Sequence, residues 1–287
     1  MQIADHWKNY ELLASGDGEK LERWGDVILR RPDPQIIWPL SHKHPRWDKP
    51  DARYERSSSG GGRWKFSKTV PDEWFISYGE LRFAVKTMGF KHTGLFPEQA
   101  VNWDWMAEKI TSAKRPISVL NLFAYTGGAT VACAKAGASV CHVDAAKNMV
   151  ERAKENARLS GLESHPIRYI TDDVNKFVER EIRRERQYDA IIMDPPSFGR
   201  GPQGEIWKVE DHLFALVELC SKVLSKKPLF FLINSYTTGF SPTVIQDLLK
   251  LSIEKRFGGK TSCDELGLPE TGTGLVLPCG IFGRWEG

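Results

Sequence analysis

The stretch from Ile117 to Asp144, ISVLNLFAYTGGATVACAKAGASVCHVD, constrains the fold more than any other part of the chain. A short apolar run ends in Asn121, Leu122 and Phe123, and the pair Gly127–Gly128 follows. The small residues of Ala129–Ala138 suit close helix packing, so strand, tight turn and helix are predicted in that order. A second apolar run, Ser139–Val143, ends in Asp144, giving a βαβ unit with an acid at the tip of its second strand. Such a unit can hold an adenosine-containing cofactor, and it can also be purely structural.

The alternation continues downstream. Helix Lys147–Ser160 stops at Gly161, strand Ile167–Ile170 runs into Thr171, Asp172 and Asp173, and a charged helix follows to about Arg186. Strand Tyr188–Asp194, helix Val209–Leu224, strand Leu229–Asn234, helix Pro242–Lys255 and closing strands at about Lys260–Glu265 and Gly274–Phe282 complete the pattern. The expected fold is α/β: a Rossmann-like, doubly wound, mostly parallel seven-stranded sheet with one antiparallel edge strand. Residues 1–90 read as a small antiparallel β domain, with short runs at Asp26–Arg31, Trp64–Val70, Trp74–Tyr78 and Leu81–Lys86. Pro32–Pro50 is proline-rich and Ser57–Gly62 is a flexible connector. Residues 91–112 would form a linker and helix, and residues 113–287 the main domain.

Hydrophobic content of 41% and charged content of 27% over 287 residues exclude a disordered chain. Five cysteines, odd in number and set in apolar surroundings, read as reduced core residues and neither as a disulfide framework nor as a metal site. No apolar run approaches bilayer length and no signal peptide opens the chain, so no membrane role and a cytoplasmic location are expected. A net charge of +3 is too small to argue for a polyanionic partner, so clustering decides. Between His42 and Lys68, Lys43, Arg46, Lys49, Arg53, Arg56, Arg63, Lys65 and Lys68 stand among Trp47, Tyr54 and Trp64, just after Trp38. That mixture suits looped or single-stranded RNA, and it equally suits a solvated β surface with an aromatic core. The aromatic connector Met88–Trp105, which contains Phe96, reads either as a lid over a cofactor or as packing between domains.

Ligands of an open α/β sheet bind beyond the carboxyl ends of its strands. Here those ends carry Asn121, Asp144, Asp172 with Asp173, Asp194, and Asn234 with Ser235. Each acid alone could be a helix N-cap. The turn Ala124, Tyr125, Thr126, Gly127, Gly128 lacks the full glycine set that a pyrophosphate requires. S-adenosylmethionine has no phosphate; backbone near Gly127 can meet its amino-acid end, Asp144 its ribose hydroxyls and Asp173 its adenine amino group. The candidate cofactor-binding set, which includes contacts that only the resemblance given below implies, is Phe96, Asn121, Phe123, Ala124, Tyr125, Thr126, Gly127, Gly128, Asp144, Ala145, Asp172, Asp173, Val174 and Asp194. In Asp194, Pro195, Pro196, Ser197, Phe198 the two prolines fix φ and hold the loop rigid. Its carbonyls and the Asp194 carboxylate can accept hydrogen bonds from an amino-bearing ring, with Phe198 as a stacking face. A bland proline turn is the other reading.

At NLFAYTGGAT (Asn121–Thr130), Val143–Asp144, DDV (Asp172–Val174), MDPPSFGRG (Met193–Gly201) and KHTGLFPEQ (Lys91–Gln99) the chain resembles class I S-adenosylmethionine-dependent methyltransferases. More narrowly, it is similar to the bacterial large-subunit ribosomal RNA methyltransferase group over roughly Lys91–Phe282. The resemblance implies Asn121, Phe123, Asp144 and Asp173 as cofactor contacts and Asp194–Phe198 as the target loop. Cytosine-5 enzymes of that group need a thiolate in the loop or at strand five, whereas this chain has Ser197 and INSYTTG (Ile233–Gly239) there. Methyl transfer to a base nitrogen of RNA is therefore expected. A protein or small-molecule substrate, or an RNA-binding protein with a retained pocket, are the alternatives.

Overall fold

The computed structural model describes residues 1–57, 61–200, 206–237 and 239–287. Residues 58–60 of the Ser57–Gly62 connector, Gly201 of the target-loop motif and Thr238 of INSYTTG lie outside the described residues. The chain forms two compact units: residues 2–101 with 266–279, and residues 102–265 with 280–287.

The larger unit is the α/β one. Its strands are β1 (Ser118–Leu122), β2 (Ser139–Asp144), β3 (Ile167–Thr171), β4 (Ala190–Met193), β5 (Phe230–Ser235), β6 (Lys260–Pro269) and β7 (Val276–Glu286), in the order β6-β7-β5-β4-β1-β2-β3. The ends of β6 and β7 from residue 266 to 279 count with the smaller unit, as does Gln2–Ile3, which pairs with β6 and makes the sheet eight-stranded where seven strands were expected. β1 to β5 pair in parallel and β7 runs antiparallel to β5. The antiparallel strand is thus inserted beside β5 and is not the sheet edge that was expected. β4 and β5 are buried along their whole length, because helices cover both faces of a parallel sheet. The helices are α1 (Ala100–Ser112), α2 (Gly128–Lys135), α3 (Lys147–Leu159), α4 (Val174–Arg183), α5 (Val209–Ser221) and α6 (Pro242–Leu249). Leu120, Val143, Phe177, Ile191, Leu216, Phe231 and Trp285 form one apolar cluster at the centre.

In the smaller unit, strands Tyr10–Gly16, Glu19–Trp24, Val27–Pro32, Ala52–Arg56 and Gly62–Phe66 make one sheet in chain order. Pairing is antiparallel except between Val27–Pro32 and Ala52–Arg56, which run parallel across the long proline-rich connection. Trp74–Tyr78 and Leu81–Val85, both read as short strands, pair antiparallel as a hairpin. The sheet buries a charged cluster: Arg31 donates twice to Glu22, Tyr10 Oη donates to Glu22 at 2.8 Å, and Lys20 lies 3.1 Å from Asp33. Burial opposes ionisation of Glu22, but the adjacent Arg31 and Lys20 outweigh it and hold the carboxyl down at about 2. The segment 266–279 belongs to this unit: Gln2 and Ile3 pair with Leu266 and Gly267, Ser15 Oγ donates to Glu270, and Thr271 N donates to Leu12 O at 2.9 Å.

Candidate active site

Register places the chemistry. Leu122 of β1 lies beside Val143 of β2 on one side and Met193 of β4 on the other. Chain order reverses between β1 and β4, so Phe123, Asp144 and Asp194 leave the sheet at one level around the switch point where such sheets bind ligands.

The first loop is held open by backbone strain. Phe123 and Tyr125 have φ of 53° and 50°, a left-handed geometry that costs a non-glycine residue about 1–3 kcal/mol and clusters at functional sites. Asp144 organises this loop: its carboxylate accepts Tyr125 N and Ala146 N, each at 2.8 Å. Gly127 (φ 83°) is the N-cap of α2, and a Cβ there would stand 2.8 Å from Cβ of Ala153 on α3. Its glycine is thus required by helix packing as well as by the turn, a different cause from close approach to a ligand.

Beneath the loop runs a polar chain that sequence reasoning missed. Asn121 Nδ2 donates to Thr130 Oγ1 at 2.9 Å, and Thr130 Oγ1 lies 2.9 Å from His142 Nδ1. Thr130 Oγ1 accepts from Asn121 and, with one proton and two lone pairs, can pair with either neutral tautomer of His142. Burial pushes His142 down to about 3. The Asn121 side chain, expected at the cofactor, is buried and committed to this network. Only the position of His142, two residues before Asp144 and so on the same face of one strand, could have signalled it.

At the other acidic ends the side chains also have structural work. Asp173 caps α4, accepting Lys176 N at 3.0 Å, and Asp172 pairs with Arg180. Val174 is buried in the apolar cluster, Ala124 and Thr126 are buried, Gly128 begins α2 and Ala145 is exposed. Asn234 accepts from Asn102 Nδ2 at 2.8 Å in the interior. Phe96 belongs to the smaller unit, 5.5 Å from the His92 ring, just before the turn Pro97–Gln99.

The second loop is more built than a turn. Phe198–Arg200 pairs antiparallel with Ile206–Lys208, a ribbon that the sequence did not announce. Pro196 O accepts Trp207 Nε1 at 2.7 Å, Ser197 O accepts Val209 N at 3.1 Å, and Ser197 Oγ meets Thr237 Oγ1 at 2.7 Å. The Pro196 and Ser197 carbonyls thus each accept one hydrogen bond within the loop, and each keeps a second lone pair. Pro195 is buried and Phe198 is exposed, as a stacking face requires. Both Ser197 and the end of β5 offer hydroxyls. Cys133, Cys141 and Cys220 are buried thiols raised by burial, Cys141 to about 11, and Cys263 and Cys279 are free and also raised.

In the basic stretch the aromatics pack inward. Trp47 and Tyr54 are buried, Trp64 sits edge-on to Tyr54 and donates to Met88 O, and Trp38 donates to Ser15 Oγ. Trp47 and Tyr54 are core residues, which corrects the reading of them as stacking platforms. Lys43, Arg46, Arg53, Lys65 and Lys68 each face an acid: Asp48, Asp51, Glu19, Glu55 and Asp51.

Residues 46–242 match the family of S-adenosylmethionine-dependent methyltransferases. The chain belongs to that family. It is 39% identical to a solved S-adenosylmethionine-dependent methyltransferase from Agrobacterium tumefaciens, with a TM-score of 0.92 over 99% of this chain and 92% of that one. It is 29% identical to ribosomal RNA large subunit methyltransferase K/L of Syntrophotalea carbinolica over 67% of this chain, and 35% identical to ribosomal RNA large subunit methyltransferase I of Aeromonas hydrophila over 42%. The chain spans 25% and 30% of the length of those two relatives. The family's methyl donor fits the residues present. A carboxylate offers about four acceptor positions, and Asp144 spends two on Tyr125 and Ala146, which leaves capacity for ribose hydroxyls.

Proposed function

We propose that the protein transfers a methyl group from S-adenosylmethionine to a nitrogen of an RNA base in the cytoplasm. The register of Leu122 with Met193, which sets the strained donor loop beside the Asp194 loop, carries this reading. The donor supplies an electrophilic methyl on a sulfonium centre. Asp144 would hold the ribose, backbone of Phe123–Gly127 would meet the amino-acid end, and Asp194 with the Pro195 carbonyl would orient an acceptor amino group. Nitrogen presents its own lone pair, so positioning and electrostatics suffice and no thiolate is needed. Hydroxyls and not thiols at Ser197 and Thr237 support this choice. The names of the ribosomal RNA methyltransferase relatives support RNA as the substrate class.

The acid partners of the basic stretch favour a second reading, transfer to a protein or small molecule. Labelled donor and RNA from a strain lacking the gene separate the two. Label is expected in RNA, with Asp144→Ala abolishing donor binding in calorimetry; label found only in protein or small metabolites overturns the RNA reading.

A further inference from the structure

Trp207 touches both loops. Its indole Nε1 donates to Pro196 O at 2.7 Å, and its ring lies 5.8 Å from that of Phe123, centroid to centroid, at 47°. His212 stacks on Trp207 at 5.2 Å and 24°, and its Nδ1 lies 2.8 Å from Lys208 O, so the indole is fixed from behind. Across the ribbon Trp207 is also the register partner of Gly199, and a Cβ at Gly199 would stand 3.6 Å from that of Trp207. A polar tether on Pro196 and an apolar rest on Phe123 come from one side chain.

We infer that Trp207 is a positioning residue that holds the acceptor loop, Asp194–Phe198, in fixed register with the donor loop at Phe123. This rests on the proposed roles of the two loops. Binding Pro196 O fixes the Pro196–Ser197 peptide group, and the restricted φ of the two prolines carries that constraint back along the loop to the Pro195 carbonyl and Asp194. Removing only the N–H should therefore disturb the acceptor side, whereas removing the ring should disturb both sides.

The test compares Trp207→Phe and Trp207→Ala with wild type in three measurements: donor affinity by calorimetry, kcat and KM for transfer to RNA, and amide hydrogen exchange at Ser197, Phe198 and Gly199. Trp207→Phe should exchange faster at those amides and lose kcat by roughly ten- to hundredfold, as a small misplacement does, with donor affinity unchanged. Trp207→Ala should weaken donor binding as well. Wild-type exchange and kcat in Trp207→Phe overturn the inference, and so does a loss of kcat matched by an equal loss of donor affinity and a lower melting temperature. If the wild type methylates no RNA, faster exchange in Trp207→Phe upholds the register while the RNA reading falls.

Discussion

Gly127 shows how a residue can be read for the right position and the wrong cause. A glycine pair between strand and helix predicted a tight turn, but the turn is not the only demand: its left-handed φ and the nearby Ala153 methyl both exclude a side chain. Gly127→Ala should lower unfolding stability by about 2–3 kcal/mol in urea denaturation, from strain plus overpacking. An unchanged midpoint would show that α3 yields easily. Asp144 was legible because an acid after an apolar run is unusual. His142, two residues earlier, was not, since its partners Thr130 and Asn121 come together only when the helix folds back on the strands.

Among elements, the parallel strands were legible from their continuous apolar runs, and their carboxyl ends then located the site. The ribbon of Phe198–Arg200 with Ile206–Lys208 was not, because two prolines followed by Ser and Phe look like a simple turn until the pairing partner is known. Helix α4 offers a way to separate scaffold from ligand contact. Asp173 is its N-cap, and Asn caps about as well as Asp while Ala does not. Asp173→Ala should cost about 1 kcal/mol of stability; Asp173→Asn should leave the melting temperature unchanged and weaken donor binding several-fold if the carboxylate meets the adenine amino group. Calorimetry beside thermal melts reads both, and full donor affinity in Asp173→Asn would confine Asp173 to capping.

For the whole molecule, buried titrating groups set the response to acid. Burial holds His142 at about 3 and, with Arg31 and Lys91 nearby, His92 at about 4, against 6.5 for a free histidine. The unfolded chain takes up these protons first, so stability is full above about pH 6.5 and is lost as pH falls towards those values. Glu22, held at about 2 against 4.5, adds stability above 4.5 that is lost between there and 2, in the same direction. Urea midpoints should fall steadily from about pH 7 to 4, and His142→Gln should flatten the upper part of that slope; a flat wild-type profile would contradict the buried neutral histidine. The smaller unit has a further property rooted in segment 266–279, whose Leu266, Gly267, Glu270 and Thr271 bond to Gln2, Ile3, Leu12 and Ser15. A ribosome adds roughly 5–20 residues per second, so strands made first wait on the order of ten seconds for their last partners. During translation the α/β core has its first five strands before the earlier-made sheet is finished, and the beginning of the chain is therefore among the last parts to close.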